Sequence, residues 1–143
     1  MKPALERLML DNYPAAMDVP VRFADLDPLR HINNVAFGQF YEEARVHLNT
    51  QVFDKAQTRP ERMLVANVDI AYLAEGMYPG VIRVGSGIGR IGRTSYEIVQ
   101  ALFQNGKCIG TAQTIAVYIL NGQPAEPPKE VREALESFLF TNS

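Results

Sequence analysis

The sequence contains one cysteine, two histidines and no apolar run long enough to span a membrane. The lone thiol, Cys108, excludes an internal disulfide framework and any multi-cysteine zinc site. Two histidines leave little for a metal centre of another kind, so no metal is expected. Neither sign of charge dominates: 14 Lys and Arg oppose 16 Asp and Glu, for a net charge of −2. Bulk electrostatics therefore favours neither nucleic acid nor an anionic membrane surface. Internal repeats, low-complexity tracts and a GxGxxG loop are all missing. Near the start, Glu6 and Asp11 interrupt the apolar residues, which is not the pattern of a signal peptide. These absences describe a soluble, cytoplasmic protein in a reducing compartment.

What is present is a core. Of 143 residues, 47% are apolar, enough for one packed domain over 1–143. Residues 1–18 read as an N-terminal extension. Within it Pro3 to Leu10 is expected to form a short helix, with Leu5, Leu8 and Met9 on one side and Asn12-Tyr13-Pro14 breaking it. A first strand is expected from Pro20 to Ala24, in the alternating run Val19-Pro-Val21-Arg-Phe23. Phe37, Phe40, Tyr41, Ala44 and Leu48 recur at helical spacing and place the main helix from Asn34 to Val52, with Asn33 or Asn34 as N-cap. Val35 and Val46 project opposite this stripe, so the helix is expected to be buried on several sides.

Strands then follow one another without helices between them. Met63 to Ala74 sets Leu64, Ala66, Val68, Ile70 and Tyr72 on one face, with Asn67 and Asp69 on the other. A turn over 76–80 leads to Val81 to Ile91, where Gly85, Gly87 and Gly89 read as bulges or strong curvature. Thr94 to Gln104 and Lys107 to Leu120 flank Asn105-Gly106, a strong hairpin signal because a type I′ turn needs positive φ at both centres. An amphipathic helix over 129–140 carries Val131, Leu135 and Phe138 on one face. The order β-α-β-β-β-β implies an α+β domain in which a curved antiparallel sheet surrounds one long helix.

The chemistry is concentrated in Asp25-Leu-Asp27-Pro-Leu-Arg-His31-Ile-Asn33-Asn34. Two carboxylates, an imidazole and two amides stand where a helix begins, beside unpaired N–H groups and a positive local potential. Such a place stabilises a developing oxyanion. Asp25-x-Asp27 after a strand also matches the nucleophile motif of haloacid-dehalogenase-type phosphatases. That chemistry needs a doubly wound parallel sheet, which the uninterrupted strands after residue 60 contradict. Glu43–His47 and Glu42–Arg45 are expected to pair along the helix flank.

The run from Val21 to Arg45, together with Gly89-Arg-Ile-Gly-Arg-Thr-Ser-Tyr-Glu-Ile98, resembles hotdog-fold acyl-CoA thioesterases of the hydroxybenzoyl-CoA thioesterase superfamily. The resemblance implies a five-stranded sheet wrapped around the helix, and hydrolysis of a fatty or aromatic acyl-CoA to free acid and coenzyme A. It implies no cofactor beyond the coenzyme A of the substrate, and a homodimer or homotetramer with active sites between subunits. An open sheet edge points the same way. Asp27 takes the family's catalytic acid position, as nucleophile or as general base on water, and the backbone N–H of Asn34 would polarise the thioester oxygen. His31 either contacts the substrate or holds the loop; Asp25 reads as structural or surface. Arg90 and Arg93 are candidates for coenzyme A phosphates, since guanidinium forks match those oxygens. Phe37 and Tyr72, with Phe40 and Met63, are candidates for lining the acyl pocket. Two alternatives stay open: an enoyl-acyl hydratase or dehydratase pairing His31 with Glu42 or Glu43, and a non-catalytic acyl-CoA binder.

Overall fold

Residues 2–141 are described by a computed structural model. The long apolar stripe of the middle segment becomes α1 (Asn34–Ala56), four residues longer than its spacing predicts. Asn33 is the N-cap: its Oδ1 accepts the Ala36 N–H at 2.7 Å. Gln57 ends the helix in the left-handed region, at φ 56°. Around α1 curls an antiparallel sheet of five strands in the order β1-β3-β4-β5-β2. These are β1 (Ala15–Pro20), β2 (Arg62–Tyr72), β3 (Val81–Ile91), β4 (Ser95–Gln104) and β5 (Lys107–Leu120). A two-residue strand, β6 (Gln123–Pro124), adds to β5, and α2 (Lys129–Glu136) packs against the C-terminal half of α1. The arrangement is the hotdog fold.

Asn105 and Gly106 both take positive φ, as the β4–β5 hairpin requires. Asn121 and Gly122 repeat that geometry between β5 and β6. Two apolar clusters fill the concave face. One gathers Phe37, Phe40, Tyr41 and Ala44 against Ile82, Val84, Leu102, Ile109 and Ala112; the other gathers Leu48, Val52 and Phe53 against Ile88, Tyr96, Ile98 and α2. Each fully buried aliphatic such as Leu48 contributes roughly 1.5–3 kcal/mol. Gln100 ties helix to sheet at this level, donating from Nε2 to the Tyr41 carbonyl at 3.1 Å and to Ser86 Oγ at 3.0 Å.

Several elements differ from the sequence expectation. The first strand ends at Pro20, where a start was expected, because Asp25 folds the next residues back. Its carboxylate accepts both the backbone N–H and the guanidinium of Arg22, and 23–25 becomes a 3₁₀ turn. Val19 and Val21 stay buried while Phe23 is 74% exposed. The N-terminal segment forms two 3₁₀ turns in place of one helix, and Leu5 and Met9 face solvent. A bulge in β2 between Val65 and Asn67 breaks the expected single face. Val65 pairs with Ala116 and Val68 with Thr114, so Leu64 points away from the side that carries Val68, Ile70 and Tyr72.

Of the β3 glycines, Gly89 falls in the register shift between Ile88 and Ile91, as a bulge requires, while Gly85 and Gly87 serve close approach. A Cβ on Gly85 would meet the Tyr13 ring at 2.8 Å, and one on Gly87 would meet Pro14 at 2.8 Å. The C-terminal helix stops at Glu136, short of Phe140. The tail turns extended there because the Ile88 N–H and C=O, at the register shift of β3, take the Phe138 carbonyl and the Phe140 N–H. Burial of α1 is one-sided: Val35 is 72% and Val46 61% exposed. Neither Glu43–His47 nor Glu42–Arg45 forms an ion pair among the described residues.

Candidate active site

Asp27 builds the turn that carries it. Its Oδ1 accepts the Leu29 N–H at 2.9 Å and the His31 N–H at 3.1 Å, and its backbone N–H donates to the His31 carbonyl at 2.9 Å. Asp27 Oδ1 is thus occupied by two donors, while Oδ2 has no hydrogen-bond partner among the described residues. Arg30 closes the turn at φ 67°, donating to the Asp27 carbonyl. Ile32 then donates to the Gly76 carbonyl and Asn33 to the Asp25 carbonyl, which pins the turn to the segment after β2 and to the 3₁₀ turn before it.

Asp25, the neighbouring carboxyl, is 2% exposed and does a different job. Burial pushes its pKa up, but the Arg22 guanidinium and N–H outweigh that and hold it below the usual carboxylate range. It is an internal cap, which decides for the structural side of the sequence reading and against the surface one.

The turn, the start of α1 and the end of β2 enclose a cleft of about 370 Å³. Asp27, His31, Asn34, Phe37 and Tyr72 all line it, joined by Leu29, Ile32, Leu73, Ala74 and Glu75. Five of the nine residues nominated for the thioesterase site therefore meet in one place. The Phe37 and Tyr72 rings stand 5.2 Å apart and form an aromatic wall. Asn34 is the first helical residue, and among the described residues nothing accepts its backbone N–H, because Asn33 caps Ala36 instead. An unpaired first-turn donor and a carboxylate with a free oxygen share the cleft.

Arg90 and Arg93 do not join it. They are exposed at the β3–β4 end, whereas the cleft lies near the opposite end of β3, roughly 30 Å away at the rise of an extended strand. Phe40 lines a separate recess beside β1, and Met63 packs with the far apolar cluster. Glu42 and Glu43 also face that recess and not His31, so the pair a hydratase would use is not assembled. Two recesses elsewhere are larger, about 650 and 800 Å³. Neither holds Asp27 or a free helix N–H, so chemistry, not volume, selects the site.

Sequence reasoning missed Glu75. Its Oε2 lies 3.2 Å from His31 Nε2. Glu75 sits in the connection between β2 and β3, where no periodicity announces which way a side chain turns. Arg45 was paired with Glu42 in expectation, but it is 9% exposed and makes no hydrogen bond or ion pair among the described residues. Burial lowers its pKa, opposed by the charge of Glu42. Its guanidinium nitrogens are not among the enclosed unpartnered atoms, which are Tyr41 Oη, Gln100 Oε1 and Thr114 Oγ1. The stem is therefore covered while the fork reaches the surface of the α1 flank.

A profile of the thioesterase-like superfamily matches residues 21–135, from the end of β1 to α2. The chain belongs to the thioesterase-like superfamily. Solved structures of similar fold include a thioesterase from Thermus thermophilus complexed with coenzyme A and Zn. It is 27% identical, covers 90% of this chain and 96% of its own, and has a TM-score of 0.80. A predicted thioesterase from Bacillus stearothermophilus is 22% identical, covering 90% and 98%, with a TM-score of 0.79. A 4-hydroxybenzoyl-CoA thioesterase mutant complexed with 4-hydroxybenzoyl-CoA is 13% identical, covering 85% and 97%, with a TM-score of 0.74. The last two show the fold alone. No curated protein sequence matches the chain. Family membership makes this member of the thioesterase-like superfamily a thioester hydrolase. Among the described residues no helix is long and apolar enough to cross a membrane.

Proposed function

We propose that the protein hydrolyses acyl-CoA thioesters to a free acid and coenzyme A, with Asp27 as the acting carboxylate. The observation that carries this reading is the shared cleft of Asp27 and the unpaired Asn34 N–H. Asp27 Oδ2 either attacks the thioester carbonyl or takes a proton from water that does. The carbonyl oxygen gains charge and is held by the Asn34 N–H at the positive end of α1. The C–S bond then breaks; on the nucleophilic route this leaves a mixed anhydride on Asp27, which water hydrolyses to release the acid and restore the carboxylate. A thiol of pKa ~8.5 leaves as thiolate with little proton help, so one carboxylate and one aimed donor suffice. Water and the chain's own groups supply the whole reaction. Phe37 and Tyr72 line the acyl side of the cleft. Release of thiol from short, medium, long and aryl thioesters, measured side by side, identifies the acyl group.

The working unit in this reading is a homodimer joined along β2. The two sheet edges are unlike: β1 is short and blunted by Pro20 and the Asp18–Arg83 ion pair, whereas β2 runs eleven residues with Leu64, Val65 and Val68 more than 40% exposed. On α1 the Arg45 fork reaches the surface without an ion pair among the described residues, and Glu42 one turn earlier has none there either. A two-fold contact makes each residue meet its counterpart reciprocally, so the partner subunit's Glu42 can serve Arg45. Antiparallel pairing of the two edges also sets the partner's β3–β4 end beside this cleft, which is how Arg90 and Arg93 would meet coenzyme A phosphates.

Asp27→Asn tests the chemistry. Asn keeps an Oδ1 that can accept from Leu29 and His31, so the turn should fold while the nucleophile or base is lost. A fall in kcat of roughly 100- to 10,000-fold is expected. Parent-like turnover by a folded variant would remove Asp27 from the mechanism, and tight acyl-CoA binding with no turnover by the parent would leave only a binder.

A further inference from the structure

Gln104, the last residue of β4, is 7% exposed, and the proposed hydrolysis gives it no part. Its carboxamide bonds twice to one residue of the connection between β2 and β3. Nε2 donates to the Met77 carbonyl and Oε1 accepts the Met77 N–H, each at 2.8 Å. Met77 in turn forms an antiparallel bridge with His31, and the neighbouring Gly76 carbonyl accepts the Ile32 N–H at 3.0 Å. His31 closes on the acting carboxylate: its N–H donates to Asp27 Oδ1 and its carbonyl accepts the Asp27 N–H. Contacts therefore run from a central strand of the sheet, through Met77 and His31, to Asp27. Gly80 leaves room for the amide, since a Cβ there would meet Gln104 Nε2 at 2.7 Å.

We infer that Gln104 is a positioning residue that acts through Met77 and His31, holding the Asp27 turn in place against the sheet. The turn and the 75–80 connection are both irregular, so neither gives the other a fixed position. β4 does, because it pairs with β3 on one side and β5 on the other. A side chain that donates and accepts at one residue fixes direction as well as distance. Misplacing a reacting group by about 1 Å can cost roughly 100-fold in rate. A loosened turn would therefore slow hydrolysis while Phe37 and Tyr72 still line the cleft. The effect on rate rests on the thioesterase reading; the hold on the turn does not.

Two variants disturb the contact from opposite sides. Gln104→Met keeps the length of the side chain and loses both hydrogen bonds. Gly80→Ala leaves Gln104 in place and crowds Nε2; Gly80 is outside the left-handed region, so its backbone accepts the change. Each should lower kcat about 10- to 100-fold with KM nearly unchanged. In an Asp27→Asn background, Gln104→Met should cost nothing more. Independently of turnover, amide hydrogen exchange at Met77, His31 and Ile32 should speed up in both variants, while Ala101 in the middle of β4 exchanges as in the parent. Unchanged exchange at His31 and Ile32 in Gln104→Met overturns the inference whatever the activity. So does faster exchange at Ala101 as well, which would mark a general loss of stability. A parent-like kcat with the turn loosened, or an undiminished loss in the Asp27→Asn background, overturns it too. Should Gln104→Met not fold, Gly80→Ala decides by the same readouts. If the parent releases no thiol from any thioester, the assigned reaction falls while exchange at His31 and Ile32 still decides whether Gln104 holds the turn.

Discussion

At the scale of single residues, Asp25 and Asp27 show how environment divides labour between like side chains. Asp25 is enclosed and spends both oxygens on Arg22; Asp27 spends one oxygen on its own turn and keeps the other. A carboxyl whose folded pKa is depressed stabilises the fold fully above its unfolded value, near ~3.9, and loses that contribution as pH falls through the folded value. Asp25→Asn should therefore cost about 1–3 kcal/mol near neutral pH, and its deficit relative to the parent should shrink below pH ~3.9. Denaturant unfolding of both proteins between pH 3 and 7 measures this; a deficit that stays constant at pH 3 would contradict the assigned role. The two aspartates were separable in sequence because the resemblance carries the catalytic-acid role to Asp27 alone. Glu75 was not separable, since its place in the cleft depends on a loop folding back to residues more than forty positions earlier.

Among elements, those with local causes were legible and those with distant causes were not. The start of α1 follows from Asn33, and the β4–β5 hairpin from Asn105-Gly106, signals that act within a few residues. The end of β1, the bulge of β2 and the short α2 each answer to something outside the element: a capping carboxylate, a partner strand, the open backbone groups of Ile88. Val35 and Val46 read as core because apolarity alone does not say which side of a helix the sheet covers, and both stand exposed. The cap joins element to chemistry. Asn33→Ala should destabilise by about 1 kcal/mol. Asn33→Asp should hold stability, because Asp caps equally well, yet lower kcat, because a negative charge would stand beside the forming oxyanion. Thermal unfolding and thiol release on both variants separate the two effects; parallel losses in Asn33→Asp would show that the cap acts through stability alone.

At the scale of the whole molecule, the proposed homodimer is open to a direct test. Glu42→Arg and Arg45→Glu should each weaken self-association, and the double exchange should restore it, as sedimentation equilibrium across micromolar concentrations can show. A parent that stays monomeric there, or single variants that associate like the parent, would dismiss the reciprocal pair. On the convex side the two terminal segments clasp one apolar patch around Val99, Ala101 and Phe103. Tyr13 packs 4.9 Å from Phe140, Arg7 lies over that ring, and Thr141 donates to the Asn12 carbonyl. Segments from opposite ends of the sequence thus meet over Gly85, whereas β3, β4 and β5 join through short reversals. Closing a long loop costs more entropy before any contact repays it. Assembly therefore starts with the central hairpins and finishes with both ends, so the clasp governs how slowly the native state comes apart rather than how quickly it forms.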